Sequence, residues 1–342
     1  VDSGTVDLSQ SFPNTYGTSF FEGYFPDGTI PRSLAVIGDS MIRTGGGSVL
    51  GVGADGFLAR IALGQYGAAL NLSDLNDTIP FSDFSQGGEW AIQYINSHTL
   101  RLAMSKRFTT VLCEYGRHDV SDLAATKTRL VTIYGYYSAE TRVRRYIQTT
   151  LTPDDDITMD ASGNWVHSLG SKAANIAALN TWLLDGSFHA AITLAGFDAS
   201  KVLVWDMYSV VGDANGYWRE PTGAYQTAVV TTTDTAATTL RFDTTSWSVS
   251  QPAAQADQGL VGVFTSGALT GHIFGIRYSK TTGGNGYHQI IPLSTLSSIP
   301  QAGDTLRLYN AINGGPVWFE NPHMSNCGHA ICAEAFPGEW II

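Results

Sequence analysis

Short apolar runs separated by stretches with apolar positions every three or four residues organise the first two thirds of the chain. Four runs read as strands: residues 34–38, 109–115 (TTVLCEY), 145–151 (RYIQTTL) and 201–206 (KVLVWD). They are brief and do not alternate, as expected of strands covered on both faces. Helices are predicted over 55–67 (DGFLARIALGQYG), 88–106, roughly 120–145 and 171–185 (SKAANIAALNTWLLD). The last opens on Ser171 as a cap, and Ala174, Ile176, Ala177, Leu179 and Leu183 leave it with a buried face. Strands alternating with helices predict a parallel sheet with helices on both sides. The segment DITMDASGNWVHS reads instead as a small hairpin turning around residues 160–164.

Near residue 223 the pattern changes. The stretches AYQTAVVTTTDTAATTLRFDTTSWSV and LVGVFTSGALTGHIFGIRYSKTTGGNGYHQIIPL are rich in Thr, Val and aromatic residues with frequent glycine breaks. That is the composition of antiparallel β structure, so residues 223–310 are expected to form a β-rich insert or subdomain. Helical character returns over residues 321–336 (NPHMSNCGHAICAEAF). The predicted organisation is an N-terminal extension over 1–32, polar and turn-rich, and an α/β domain built from 33–222 and 311–342. The β-rich segment interrupts that domain. No solenoid repeat is present.

Composition narrows the partners. Of 342 residues, 43% are hydrophobic and 14% charged, enough apolar material for a large core. No run approaches eighteen apolar residues, so no membrane span is expected. A formal net charge of -11 is the wrong sign for a general polyanion binder, which argues against nucleic acid. Cys113, Cys327 and Cys332 are odd in number and form no CxxC pair, which points away from a disulfide framework or a zinc site. The loop TGGGSVLGVGADG lacks the Gly-Lys-Ser/Thr ending of a phosphate-binding loop. PDDDITMD lacks calcium-loop spacing and reads as a solvated turn. No cofactor or metal is expected. The chain opens at Val1 without a signal-peptide pattern. Few lysines among many Gly, Ser, Thr and aromatic residues fit an exported protein, so an extracellular or periplasmic location is expected. Oligomeric state is not legible.

The chemistry starts at SLAVIGDSMIRTGGG, residues 33–47. The apolar run breaks at Gly38-Asp39-Ser40, which would hold a serine at the end of a strand. A serine hydroxyl is a poor nucleophile until a base takes its proton, and the base needs a third group to orient it. Among eight histidines, only His323 lies three residues after a carboxylate and just before an apolar helix, in Glu320-Asn321-Pro322-His323. In a tight turn stiffened by Pro322, Glu320 can reach His323 Nδ1 and leave Nε2 for Ser40. His98, His167, His189, His272, His288 and His329 show no such pairing.

Here the chain resembles the SGNH, or GDSL-like, hydrolases. Gly38-Asp39-Ser40-Met41 resembles that family's first block and EnpHmSNcGHaicAeA its last, with His323 and Gly328 in register. DFSQGGEWA is similar to the second block, with Gly88 the better match and Gly87 the alternative. VLCEYGRHD is similar to the third, Gly-x-Asn-Asp, read here as Gly116-Arg117-His118-Asp119. The chain departs from the pattern in Glu320 for aspartate, His118 for asparagine and Asp83 for the second block's asparagine. The resemblance implies a three-layer α/β/α fold and acyl transfer through a serine ester. It assigns Ser40 as nucleophile, His323 as base and Glu320 as its orienting acid. The oxyanion would be held by the backbone N–H groups of Ser40 and Gly88, with His118 as side-chain donor. Asp119 would brace its loop. With eight Trp and fifteen Tyr, low charge density and the β-rich insert, the expected substrate is an acetyl or short-chain ester, on a carbohydrate such as an acylated polysaccharide. Two other readings are open: an inactive hydrolase-fold binding module, and an acyltransferase with a sugar alcohol as acceptor.

Overall fold

The structure, a computed structural model, describes residues 32–42, 81–223, 225–234, 241–245, 260–282, 287–292, 296–310, 317–320, 323–324 and 326–341. All but the last residue of the expected N-terminal extension, and the helix expected over 55–67, lie outside the described residues. The first elements are β1 (Leu34–Ile37), β2 (Phe81–Asp83), α1 (Ala91–Ser97), α2 (Thr99–Ser105), β3 (Thr110–Cys113), α3 (Leu123–Ser138) and β4 (Arg145–Thr149). Next come the hairpin β5 (Asp155–Met159) and β6 (Trp165–Leu169), helices α4 (Ala173–Leu184) and α5 (Ser187–Leu194), β7 (Val202–Trp205) and α6 (Met207–Val211). Six longer-range strands follow: β8 (Tyr225–Asp234), β9 (Arg241–Thr244), β10 (Leu260–Phe264), β11 (Ile273–Thr282), β12 (Tyr287–Pro292) and β13 (Thr305–Asn310). The last are β14 (Trp318–Glu320), β15 (His323–Met324) and α7 (Asn326–Ala335).

Five strands form a wholly parallel sheet in the order β2-β1-β3-β4-β7. Because side chains alternate along each strand, the sheet sorts its residues between two cores. Ala35, Ile37, Val111, Cys113 and Tyr146 pack under α1, α3, α4 and α5 with Tyr94, Ile133, Leu179 and Phe188. Leu34, Val36, Leu112, Ile147 and Trp205 face the other way, onto Met207 and Val211 of α6 and Cys332 of α7. Both faces are therefore dry, and this α/β layering explains why the strand sequences do not alternate. Each fully buried Leu, Ile or Val contributes roughly 1.5–3 kcal/mol by leaving water.

Local chemistry accounts for where helices begin and break. The helix expected over 88–106 is split at His98, where polar side chains compete for backbone groups. Ser97 Oγ donates to Gln93 O at 2.8 Å, and His98 Nδ1 lies 2.6 Å from Ile95 O. Asp122 caps α3 by accepting the Ala125 N–H at 3.0 Å. Ser171 does not cap α4. Lys172 occupies the cap position, and its N–H donates to the Asp154 carboxylate at 2.8 Å, a partner distant in sequence.

The β-rich region is a closed antiparallel barrel in the order β10-β11-β12-β9-β8-β13. Closure leaves no sheet edge exposed. Phe242, Phe264, Phe274, Leu306 and Leu308 fill its interior. Gly262 is required there, since a Cβ would sit 2.3 Å from the Phe274 ring. Val261, Val263, Ile273 and Tyr309 belong instead to the core beneath the parallel sheet, so barrel and α/β layers share apolar packing. Among the described residues Cys113 and Cys332 are buried and in no disulfide, and no helix is long and apolar enough to cross a membrane.

Candidate active site

From β1 the chain goes first to β2 on one side and then to β3 on the other. Such a reversal opens a crevice at the carboxyl ends of the strands. Ser40 follows β1, Gly88 follows β2 and His118 follows β3, so all three sequence-predicted residues lie at that end. The turn that carries Ser40 is tightly specified. A Cβ on Gly38 would stand 2.8 Å from Ile42 Cγ2 and 3.1 Å from Glu114 Cβ. Asp39 Oδ1 accepts the Met41 N–H at 2.9 Å, bending the chain around Ser40. Gly38 O accepts the Gln86 N–H at 3.0 Å, which ties this turn to the loop after β2.

His323 Nε2 lies 2.9 Å from Ser40 Oγ, joining residues 283 positions apart. A hydroxyl at this distance is within reach of a ring nitrogen that could take its proton as a general base. The sequence was expected to place His323 in a tight turn running straight into a helix. In agreement with the spacing of Glu320 and His323, β14 and β15 form an antiparallel ribbon in which the two are register partners, and α7 starts at Asn326. Gly328 lets α7 press on this ribbon, for a Cβ there would be 2.3 Å from Val317 O.

The loops after β2 and β3 are fastened to each other by two buried carboxylates. Gly88 has φ 75°, a left-handed conformation that favours glycine. Its neighbour Glu89 accepts two bonds from the Arg101 guanidinium, at 2.6 and 2.5 Å, and one from the Tyr115 hydroxyl. Burial, with Glu89 second, pushes the Tyr115 hydroxyl far above its usual range, so it stays a donor. In return, Asp119 accepts the Ala91 N–H at 2.7 Å and an Arg129 N–H at 2.5 Å. Asp83, in the place of the usual asparagine, accepts the N–H of Ser85 at 2.8 Å as well as its hydroxyl.

Gly116, at φ 139°, fits against Leu151 and Leu179. Arg117 is held inward by Asp154 at 3.0 Å and by Thr152 O at 2.9 Å. The His118 side chain beside it is partly exposed. Its Nε2 is 3.5 Å from Asp39 Oδ2, and its ring stacks on Trp90 at 6.3 Å between centroids with 25° between planes. Trp90 is 44% exposed. Sequence reasoning missed Trp90, Glu89 and Glu114. The signal for Glu114 was a lone carboxylate inside the apolar run TTVLCEY. Among the described residues no group of three His, Cys, Asp or Glu side chains is arranged to hold a metal ion.

No family model matches the chain, and no curated protein matches it. Solved structures similar to it include a lipase from a goat rumen metagenome, 13% identical over 52% of this chain and 82% of that one, with TM-score 0.33. An acetylxylan esterase from Geobacillus stearothermophilus is 15% identical over 52% of this chain and 77% of that one, with TM-score 0.34. A protein of the G-D-S-L lipolytic family from Desulfitobacterium hafniense is 13% identical over 56% of this chain and 87% of that one, with TM-score 0.36.

Proposed function

We propose that the chain is a serine ester hydrolase of the SGNH type. The observation that carries this reading is the 2.9 Å contact between Ser40 Oγ and His323 Nε2 at the carboxyl end of the sheet. Ser40 Oγ attacks the ester carbonyl carbon while its proton passes to His323 Nε2. His323 then gives that proton to the leaving alcohol as the C–O bond breaks, leaving an acyl-serine. Water attacks next, losing a proton to His323, and the acid departs as Ser40 regains its hydrogen. Glu320 fixes the His323 tautomer through Nδ1 and stabilises the imidazolium. The oxyanion is held by the N–H groups of Ser40 and Gly88, with His118 as a third donor. The test is hydrolysis of 4-nitrophenyl acetate. Ser40→Ala should lose on the order of 10³-fold or more in turnover with its fold intact. A folded variant keeping over about a tenth of wild-type turnover removes Ser40 from the mechanism.

The acyl group in this reading is acetyl or another short chain, borne by a carbohydrate, and the exported location read from composition belongs with it. Support comes from the partly exposed Trp90, an aromatic side chain on which an apolar sugar face can stack. Trp90→Ala should lower kcat/KM on an acetylated oligosaccharide about tenfold and leave 4-nitrophenyl acetate hydrolysis within about twofold. Equal losses on both substrates would remove Trp90 from sugar recognition.

A further inference from the structure

Beneath the nucleophile turn lie two carboxyl groups that acyl transfer does not use. Asp39, after β1, and Glu114, after β3, are each 1% exposed. The Asp39 N–H donates to Glu114 Oε2 at 3.3 Å, and a Cβ on Gly38 would stand 3.2 Å from the same oxygen. The Glu114 carboxyl therefore underlies the peptide that leads into Ser40. Asp39 Oδ1 is occupied by the Met41 N–H, whereas Oδ2 is buried and accepts no hydrogen bond from the described residues.

Among the described residues, the charged and titratable groups around this pair are few. Arg117 contributes attraction from the loop after β3, but its guanidinium is bonded to Asp154 and to the carbonyls of Thr152 and Pro153. His118 Nε2 is 3.5 Å from Asp39. Cys113, on β3, is a neutral thiol pushed by burial up to about 12. Two buried carboxyls in contact cannot both ionise cheaply without a cation bound between them, so one keeps its proton. Burial first, and then the charge of Asp39, hold Glu114 well above the usual carboxylate range.

We propose that Glu114 is a positioning residue of the nucleophile turn, held as a neutral carboxylic acid that accepts the Asp39 backbone N–H and gives its own proton to the Asp39 carboxylate. This gives the buried Asp39 side chain a donor and clamps the peptide that carries Ser40. The positioning role rests on the reading of Ser40 as nucleophile; the neutral state of Glu114 does not. An unfolded glutamate ionises near 4.3. Between that value and the raised native one, the folded chain holds one proton more than the unfolded chain. Stability present at acid pH is thus lost as pH rises through that window.

The experiment compares equilibrium unfolding of wild type and Glu114→Gln from about pH 5 to about pH 8. The wild-type unfolding constant should grow relative to that of the variant by up to about tenfold per pH unit. A pH-independent ratio overturns the neutral state. If Glu114→Gln does not fold, wild type labelled isotopically at its glutamate carboxyls should show a protonated-carboxyl infrared band at neutral pH, and carboxylate bands alone overturn it. For positioning, Glu114→Leu should lose about 10²-fold in kcat on 4-nitrophenyl acetate with KM little changed, because a small misplacement of Ser40 is costly. Glu114→Gln should recover at least about tenfold of that loss. It should also lack the alkaline fall in turnover that ionisation of Glu114 beneath Asp39 gives wild type. A folded Glu114→Leu variant at wild-type rate overturns the positioning role. A wild type without esterase activity rejects the Ser40 reading, and the unfolding comparison still decides the state of Glu114.

Discussion

Replacing Glu320 by Gln separates an orienting carboxylate from a bystander. The amide favours the wrong His323 tautomer, so turnover on 4-nitrophenyl acetate should fall steeply while the fold is kept, and Glu320→Asp should recover part of it. Equal turnover in Gln and wild type would assign the orienting to another group. His118 is tested in the same way. Losing one oxyanion donor costs about 2.7–4 kcal/mol, so His118→Ala should lose roughly 10²- to 10³-fold in kcat, and His118→Asn should keep much more. Wild-type rates in the alanine variant would leave the hole to Ser40 and Gly88. These residues could be proposed from the sequence because each follows a punctuated strand or sits at a fixed offset from a histidine or carboxylate. Glu114 was not, since one acid in an apolar run reads as the end of a strand. Its meaning depends on Asp39, which only the pairing of β1 with β3 brings beside it.

The loops after β2 and β3 work as one unit because Glu89 and Asp119 cross-link them. Glu89→Ala would leave Arg101 and Tyr115 without their shared acceptor. Breaking such a buried pair should cost about 3 kcal/mol, read from the denaturant midpoint, and should lower turnover further by loosening Gly88. An unchanged midpoint would make the Glu89 cluster incidental. At this scale β1, β3, β4, β7 and the β5–β6 hairpin could be read from the chain, because buried runs and a polar turn are local signals. The short edge strand β2 could not, for Ser82 and Asp83 make two of its three residues polar. Nor could the β14–β15 ribbon, whose strands have three and two residues and whose pairing depends on packing from α7.

Over the whole molecule the barrel and the parallel sheet share one apolar core through Val261, Val263, Ile273 and Tyr309. Residues 32–342 accordingly form one compact unit. Thermal unfolding should be a single transition with equal calorimetric and van't Hoff enthalpies. Two resolved transitions would mean that the shared packing contributes little. The β-rich composition was legible, whereas closure into a barrel was not, because it depends on long-range pairing such as β13 with both β8 and β10. The account as a whole rests on Ser40 being an activated nucleophile served by His323. Treatment with a fluorophosphonate, followed by peptide mapping, tests this most directly. Wild type should carry one label, on Ser40, with Ser40→Ala unlabelled and His323→Ala labelled at least about 10³-fold more slowly. Labelling of a different residue, or a His323→Ala variant that reacts as fast as wild type, would contradict it.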